Sequence, residues 1–153
     1  MIYLIITAGI LALDLAVKAY IEKTKQPGDT QEILGGKVIL QKVYNRGLCL
    51  NLLDKKRNIV VGLSAGCTLA VLLFYIGLLF QKGYHGLKLA LSLLTGGALS
   101  NLYDRMVRKY VVDYFSFQVK WKRLSKVVFN LADLFIFVGS ALAVLSTLCR
   151  RKA

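Results

Sequence analysis

Residues 95–133 contain three polar motifs set among apolar residues: Thr95-Gly-Gly-Ala-Leu-Ser-Asn-Leu-Tyr-Asp-Arg105, Val111-Val-Asp-Tyr114 and Phe129-Asn-Leu-Ala-Asp133. Three of the chain's eight acidic residues lie here, namely Asp104, Asp113 and Asp133. Two of them border or enter apolar runs, where an ionised carboxylate is costly to bury. We therefore expect the function of this protein to reside in this part of the chain.

Four long apolar runs surround and include these motifs, at residues 1–21, 59–80, 86–103 and 127–149. The 153 residues are 56% hydrophobic, which exceeds the usual fraction for a soluble domain. About 20 apolar residues suffice to span a bilayer. We predict an α-helical membrane protein with four transmembrane helices, forming one domain over residues 1–153. Both termini then lie on one side, and the loops 22–58 and 104–126 lie on the other.

The two large loops show signs of β-structure. Val38-Ile-Leu-Gln-Lys-Val-Tyr44 has the composition of a strand and ends at Asn45-Arg-Gly47, a turn signal. In the second loop, apolar residues alternate with polar ones at Phe115, Phe117, Val119 and Trp121. This period of two indicates a strand or a segment lying at the membrane interface. Asn45 and Gly47 either serve the turn alone or bring a backbone edge near a substrate.

The basic residues bear on partners and on orientation. The formal net charge is +13, and the bases lie beside apolar runs, which favours anionic membrane lipids over nucleic acid as partners. The alternative is that these side chains only flank the spans and snorkel. The large loops carry eight and seven bases, so the positive-inside rule alone would place them in the cytoplasm. Scattered cysteines and a single histidine give no ligand set, and no metal or cofactor is predicted.

The first apolar run contains two ionisable residues. Asp14 and Lys18 are spaced i, i+4, so they share a helical face and can neutralise each other. Ionisable residues within a transmembrane helix usually face the interior of the bundle. An ion pair near the membrane boundary is the simpler alternative.

The third run ends in a second polar group. Asn101, Asp104 and Arg105 are spaced i, i+3, i+4, so they can share a face on which Arg105 holds a carboxylate. Asn130 and Asp133 are three residues apart and can likewise share a face.

Asp113 and Asp133 can converge, because both lie near the membrane surface from which the large loops emerge. Two carboxyl groups in one site cannot both ionise easily, so one of them keeps a proton. An aspartic protease uses such a pair: the ionised member takes a proton from water and the protonated member polarises the scissile carbonyl. The alternative is that these aspartates only pair with Arg105, Arg108 or backbone N–H groups.

Other chemistries fit less well. A Ser-His-Asp triad would need His85, which lies at the opposite membrane face from the three aspartates. Lys88 and Ser92 have the spacing of a Ser–Lys dyad but also lie at that end of the third run. A proton-coupled transporter using buried aspartates is a further reading, although the chain shows no internal repeat.

Five motifs in this order resemble those of lipoprotein signal peptidase, also called signal peptidase II, a family of bacterial inner-membrane aspartyl proteases. The family motifs are D-x-x-x-K, N-x-G, G-G-x-x-G-N-x-x-D-R, V-V-D-F and F-N-x-A-D. Their counterparts here are Asp14 with Lys18, Asn45-Arg-Gly47, Gly96–Asn101 with Asp104-Arg105, Val111–Tyr114 and Phe129–Asp133.

The resemblance implies a fold, an activity and a site. The termini would be cytoplasmic, and a small extracytoplasmic β-cradle would carry the active site in the bacterial cytoplasmic membrane. The substrates would be diacylglyceryl prolipoproteins, cleaved on the amino side of the lipidated cysteine by a monomer that globomycin-type inhibitors block. Asp113 and Asp133 would be the catalytic dyad, without metal or cofactor. The supporting or substrate-binding residues would be Asp14, Lys18, Asn45, Gly47, Asn101, Asp104, Arg105 and Asn130.

The chain departs from the family motifs at three places. Leu48-Cys-Leu-Asn51 stands where the family usually has Ala-Ala-aromatic-Gly or Ser, Ser100 replaces a glycine and Tyr114 replaces a phenylalanine. These changes leave the dyad untouched and concern the shape of the substrate groove. They leave open a paralogue that binds lipidated signal peptides without cutting them. The positive outer loops are also unusual, and anionic outer-leaflet headgroups would account for them.

Overall fold

The computed structural model describes residues 1–47 and 53–151. The stretch 48–51, where the sequence departs from the family motif, therefore lies outside the described residues. A short π-helical turn, Asp104–Arg108, joins the third long helix to the last strand. The helices and strands in chain order are α1 (Ile2–Thr24), β1 (Thr30–Ile33), β2 (Val38–Asn45), α2 (Arg57–Leu79), α3 (His85–Tyr103), β3 (Val111–Phe117), α4 (Lys122–Ser125) and α5 (Leu131–Arg151).

Three helices within the described residues are long and apolar enough to cross a membrane: α1, α2 and α5 over Leu131–Arg150. The chain is thus a mostly helical protein with three candidate spans and a small sheet. The fourth predicted span corresponds to α3, which buries polar residues such as Lys88, Ser92 and Asn101 against its neighbours. Its membrane crossing stays a prediction.

Helix α3 packs closely between α1 and α5 because glycines form its contact points. A Cβ on Gly96 would lie 2.9 Å from the carbonyl oxygen of Thr7 in α1. A Cβ on Gly97 would lie 2.5 Å from the carbonyl oxygen of Ala132 in α5. This is the small-residue packing that the Gly96-Gly97 pair predicts. It brings the polar end of α3 against the first turn of α5.

Gly97→Ala is therefore expected to lower the free energy of unfolding by about 1–3 kcal/mol, because the added methyl group overpacks the contact between α3 and α5. Gly77→Ala in α2 is the matched control, since a Cβ there meets nothing within 4 Å. Thermal unfolding in detergent, followed by circular dichroism, compares the two variants. Equal Tm values for both would contradict the close packing at Gly97.

The sheet has the order β1-β2-β3 and is antiparallel throughout. Asn45 pairs with Val111 and Val43 with Asp113, so the end of β2 lies beside the start of β3. The strand predicted from the composition of residues 38–44 is confirmed, because β2 covers these residues. The alternating segment is strand only in its first part, because β3 ends at Phe117.

Helix α5 begins at Leu131 rather than at residue 127. The preceding residues are extended, because Phe129 and Phe115 exchange backbone hydrogen bonds of 2.7 and 3.0 Å in an isolated bridge. This bridge ties the entry of α5 to β3. The start of β3, the end of β2 and the first turn of α5 consequently meet at one end of the helix bundle.

Candidate active site

Asp113 lies on β3 and is 4% exposed. Its Oδ1 accepts a hydrogen bond of 2.7 Å from Asn130 Nδ2, and its Oδ2 accepts one of 3.0 Å from Asn45 Nδ2. The Gly47 N–H donates to Asn45 Oδ1 at 3.0 Å, which turns the amide nitrogen of Asn45 toward the carboxyl group. The N-x-G motif therefore orients a donor onto Asp113.

Asp133 lies in the first turn of α5 and forms a capping box with Asn130. The Asn130 N–H donates to Asp133 Oδ2 at 3.1 Å, and the Asp133 N–H donates to Asn130 Oδ1 at 2.9 Å. Asn101 Nδ2 donates to the other oxygen of Asp133 at 2.8 Å. A helix N-terminus favours a negative charge, so this position suits an ionised carboxylate.

Asn130 links the two carboxyl groups, because it contacts both Asp113 and Asp133. Its Nδ2 also donates to Asn101 Oδ1 at 3.2 Å. Both aspartates line a cavity of about 270 Å³, which we call the middle cavity. The sequence predicted that these two residues converge, and the structure brings them together on one cavity wall.

The pKa of Asp113 is raised to about 7, first by burial of the carboxyl group and second by the nearby charge of Asp133. The hydrogen bonds from Asn45 and Asn130 lower the pKa and only partly offset the increase. A carboxyl group with such a pKa holds a proton in much of the population at neutral pH. The pair can therefore present one protonated and one ionised carboxyl group to a substrate.

Lys18 is fully buried and orients the amide of Asn101. Its Nζ lies 2.7 Å from Asp14 Oδ2 and 2.9 Å from Asp104 Oδ2, and it donates to Asn101 Oδ1 at 2.8 Å. Because Asn101 Oδ1 faces Lys18, its amide nitrogen faces Asp133. The predicted i, i+4 pair of Asp14 and Lys18 is confirmed, and it lies in the interior of the bundle.

Asp14 stabilises the start of α5 and also contacts Ser100 and Tyr114, the two residues that replace a glycine and a phenylalanine of the family motifs. Its Oδ1 accepts a 3.0 Å hydrogen bond from the Ala132 N–H. Ser100 Oγ donates to its Oδ2 at 2.5 Å, and the Tyr114 hydroxyl lies 3.5 Å from its Oδ1. The Tyr114 hydroxyl also accepts a 2.9 Å bond from the Leu131 N–H. Two hydroxyl groups thus contact the Asp14 carboxylate. The glycine and phenylalanine that the family usually has at these two positions would supply no hydroxyl group.

Arg105 does not hold Asp104, contrary to the prediction from spacing. Asp104 is bound by Lys18 and by Arg108, whose Nη1 lies 3.2 Å from Asp104 Oδ1. Arg105 instead donates to the Asn101 carbonyl at 3.3 Å and to the Gly47 carbonyl at 3.1 Å. Asp104 and Arg105 are adjacent in sequence and therefore do not face each other on a helix, whereas Asp104 and Arg108 are spaced i, i+4. Burial lowers the pKa of the Arg105 guanidinium group, and the nearby charge of Asp133 offsets part of this decrease.

The middle cavity continues in two directions. Toward the sheet, Asn45, Asp113, Val127 and Val128 also line a cavity of about 360 Å³, which we call the outer cavity. Toward the helices, Asn101, Arg105, Asp133 and Ile136 also line a cavity of about 460 Å³, which we call the inner cavity. The three cavities form a groove with the two aspartates at its centre.

The competing nucleophile sites are not assembled. Lys88 Nζ donates to the Gln81 carbonyl, while Ser92 Oγ donates to the Lys88 carbonyl and also bonds the Tyr75 hydroxyl. His85 Nδ1 bonds the Tyr3 hydroxyl at the first residue of α3, at the end of that helix opposite Asn101. These groups stabilise the far end of the bundle.

The fold and the site define a membrane protein that holds two buried carboxyl groups on the wall of one cavity among its helices. A sequence model described as signal peptidase (SPase) II matches residues 6–149. The chain belongs to the signal peptidase II family, and is accordingly a protease of lipoprotein processing.

Individual relatives agree with the family match. A protein named lipoprotein signal peptidase from Caldicellulosiruptor bescii is 36% identical over 139 residues, covering 91% of this chain and 85% of the relative. A protein of the same name from Fusobacterium nucleatum is 31% identical, covering 94% and 84%. A solved structure described as a bacterial membrane enzyme has a TM-score of 0.81 at 23% identity, covering 95% of this chain and 87% of that one. The structural likeness supports the fold.

Proposed function

We propose that this protein is an aspartic endopeptidase that removes signal peptides from diacylglyceryl-modified prolipoproteins, cutting on the amino side of the lipidated cysteine. The observation that carries the proposal is the joining of Asp113 and Asp133 by Asn130 on the wall of one cavity. The names of the relatives support the substrate class.

In the proposed mechanism the scissile peptide lies in the middle cavity between the two aspartates. The ionised carboxylate takes a proton from a water molecule, whose oxygen attacks the carbonyl carbon while the protonated carboxyl group donates to the carbonyl oxygen. The tetrahedral intermediate collapses when the carboxyl group that took the proton from water passes it to the leaving nitrogen and the C–N bond breaks, while the proton donated to the carbonyl oxygen returns to the other carboxylate. Asn45, Asn101 and Asn130 hold the carboxyl groups and act as positioning residues.

The proposal includes a placement in the membrane. Helix α3 serves as the fourth span, a single domain forms a monomer in the bacterial cytoplasmic membrane, and the sheet and groove face the extracytoplasmic side. The termini then lie in the cytoplasm. The net charge of +13 suits anionic lipid headgroups beside the outer loops. Reporter fusions within the segment that follows β2 test this placement, and a cytoplasmic location of Gly47 would contradict the whole assignment.

The test of the activity is cleavage of a purified diacylglyceryl prolipoprotein by the protein in nanodiscs, with the unlipidated precursor as control. We expect cleavage of the lipidated substrate, inhibition by globomycin, and a new N-terminal cysteine that carries the diacylglyceryl group. Binding of the lipidated substrate without cleavage would contradict the proposal and is the result expected of a non-cleaving paralogue.

The pH dependence provides a further prediction. Because the pKa of Asp113 is about 7, loss of its proton should lower kcat on the alkaline side of neutrality. The Asn45 amide stabilises the ionised form, so Asn45→Ala should raise the pKa and move the alkaline limb of the kcat profile to higher pH. Gln41→Ala, which removes an amide bonded to Ser116 on the same strand pair, should leave the limb in place. A limb that moves to lower pH in Asn45→Ala would contradict this account.

A further inference from the structure

The two ends of the groove differ in chemistry. Apolar side chains of α2, α3 and α5 line the inner cavity, including Leu63, Val71, Leu94 and Ile136. The outer cavity is lined by the end of β2 and by residues 126–128, which lie outside the candidate membrane spans. An apolar signal sequence fits the inner end, since that end lies among the membrane helices. When a substrate is bound across the two aspartates, the mature part of its chain then lies in the outer cavity.

Lys126 is the cation of the outer cavity. Three of the described residues that line this cavity have ionisable side chains, namely Tyr44, Asp113 and Lys126, and Lys126 is the basic one. The Lys126 side chain is exposed, and within residues 1–47 and 53–151 it has no hydrogen bond or ion pair. Its ammonium group is therefore available to a ligand.

We propose that Lys126 is a specificity-determining residue that favours an acidic side chain in the first residues after the lipidated cysteine. This inference rests on the proposed peptidase function, because it uses the direction in which the substrate crosses the dyad. An acidic side chain in the outer cavity would pair with Lys126, whereas a basic one would be repelled. The mature chain is a suitable source of such a charge, because it is the polar part of the substrate.

The size of the effect follows from the exposure of the pair. An exposed ion pair changes a binding equilibrium by about two- to five-fold. Such a pair is also screened by salt, so the preference should shrink as ionic strength rises. The preference is expected in kcat/KM, since Lys126 binds substrate and does not act on the scissile bond.

The experiment uses the full chain in nanodiscs and diacylglyceryl prolipoproteins that differ at one residue. Asp, Asn or Lys occupies the first position after the lipidated cysteine, and a second series varies the next position. The enzymes are wild type, Lys126→Ala, Lys126→Glu and a control, Lys120→Ala. Lys120 is exposed on the same connecting segment and does not line the outer cavity.

In at least one series, wild type and Lys120→Ala should cleave the Asp substrate about two- to five-fold better than the Asn substrate, and the Lys substrate least well. Lys126→Ala should cleave all three equally, and Lys126→Glu should reverse the order. Cleavage by wild type that ignores the charge, or an order unchanged in Lys126→Glu, would overturn the inference and leave the peptidase function standing. Failure to cleave any lipidated substrate would overturn both.

Discussion

Asp113→Asn and Asp133→Asn are each expected to reduce cleavage of a diacylglyceryl prolipoprotein by at least about 10²–10⁴-fold, the contribution of a positioned acid or base. An asparagine cannot take a proton from water or donate an acidic proton to the carbonyl oxygen. Both substitutions preserve side-chain size, and the remaining oxygen of each asparagine can keep one of the two hydrogen bonds that the carboxyl group accepts from N–H donors. The loss of activity should therefore occur in a folded, membrane-inserted protein.

Single-turnover cleavage measures the chemical step, and circular dichroism with thermal unfolding checks the fold. Asp29→Asn is a suitable control, because Asp29 is exposed in the turn before β1 and its carboxylate accepts a hydrogen bond from the Gln26 backbone N–H. It should retain the wild-type rate. If either dyad variant cleaved at the wild-type rate, the assignment of the pair would be wrong. Loss of activity in both variants with a normal fold is the outcome that the geometry around Asn130 predicts.

Lys18→Met is expected to destabilise the protein by about 3–5 kcal/mol, as removal of one partner from a buried ion pair generally does. Lys18 lies within 2.9 Å of carboxylate oxygens on Asp14 and Asp104, and all three side chains are fully buried. Without the ammonium group two carboxylates remain close together, and among the described residues only Asp104 keeps a cationic partner, Arg108. Methionine fills a similar volume, so the loss reflects charge and hydrogen bonding rather than a cavity.

Yield in the membrane and Tm in detergent measure this effect. Lys23→Met, on the exposed part of the same helix, should stay within about 0.5 kcal/mol of wild type. The double variant Lys18→Met with Asp14→Asn should recover part of the stability, because it removes the carboxylate that has no other cation. A single Lys18→Met protein as stable as wild type would show that the buried charges do not depend on Lys18.

Local sequence patterns determined several parts of the site. The i, i+4 spacing alone predicts that Asp14 and Lys18 pair, because the geometry of one helix fixes it. The glycine pair in α3 likewise predicts a close helix contact, and the composition of residues 38–44 predicts β2. The motifs alone pointed to signal peptidase II, and the family match confirms that. The catalytic roles of Asp113 and Asp133 stay a prediction.

Other parts of the site depend on contacts between distant residues. The bridge between Phe115 and Phe129 delays the start of α5, and the packing of α1 against α3 brings Lys18 to Asp104. Neither effect follows from periodicity along one element, since each depends on where a second element packs.

The sequence by itself determined the family, the membrane helices of highest hydropathy and the residue types of the site. The tertiary structure decided which polar groups meet: Ser100 and Tyr114 on Asp14, and Asn130 between Asp113 and Asp133. The physical reason is the separation along the chain of the residues that interact. Spacing fixes neighbours three or four residues apart on a helix, whereas hydrogen bonds across the bundle form only after close packing of α1, α3, α5 and β3 has set the distances.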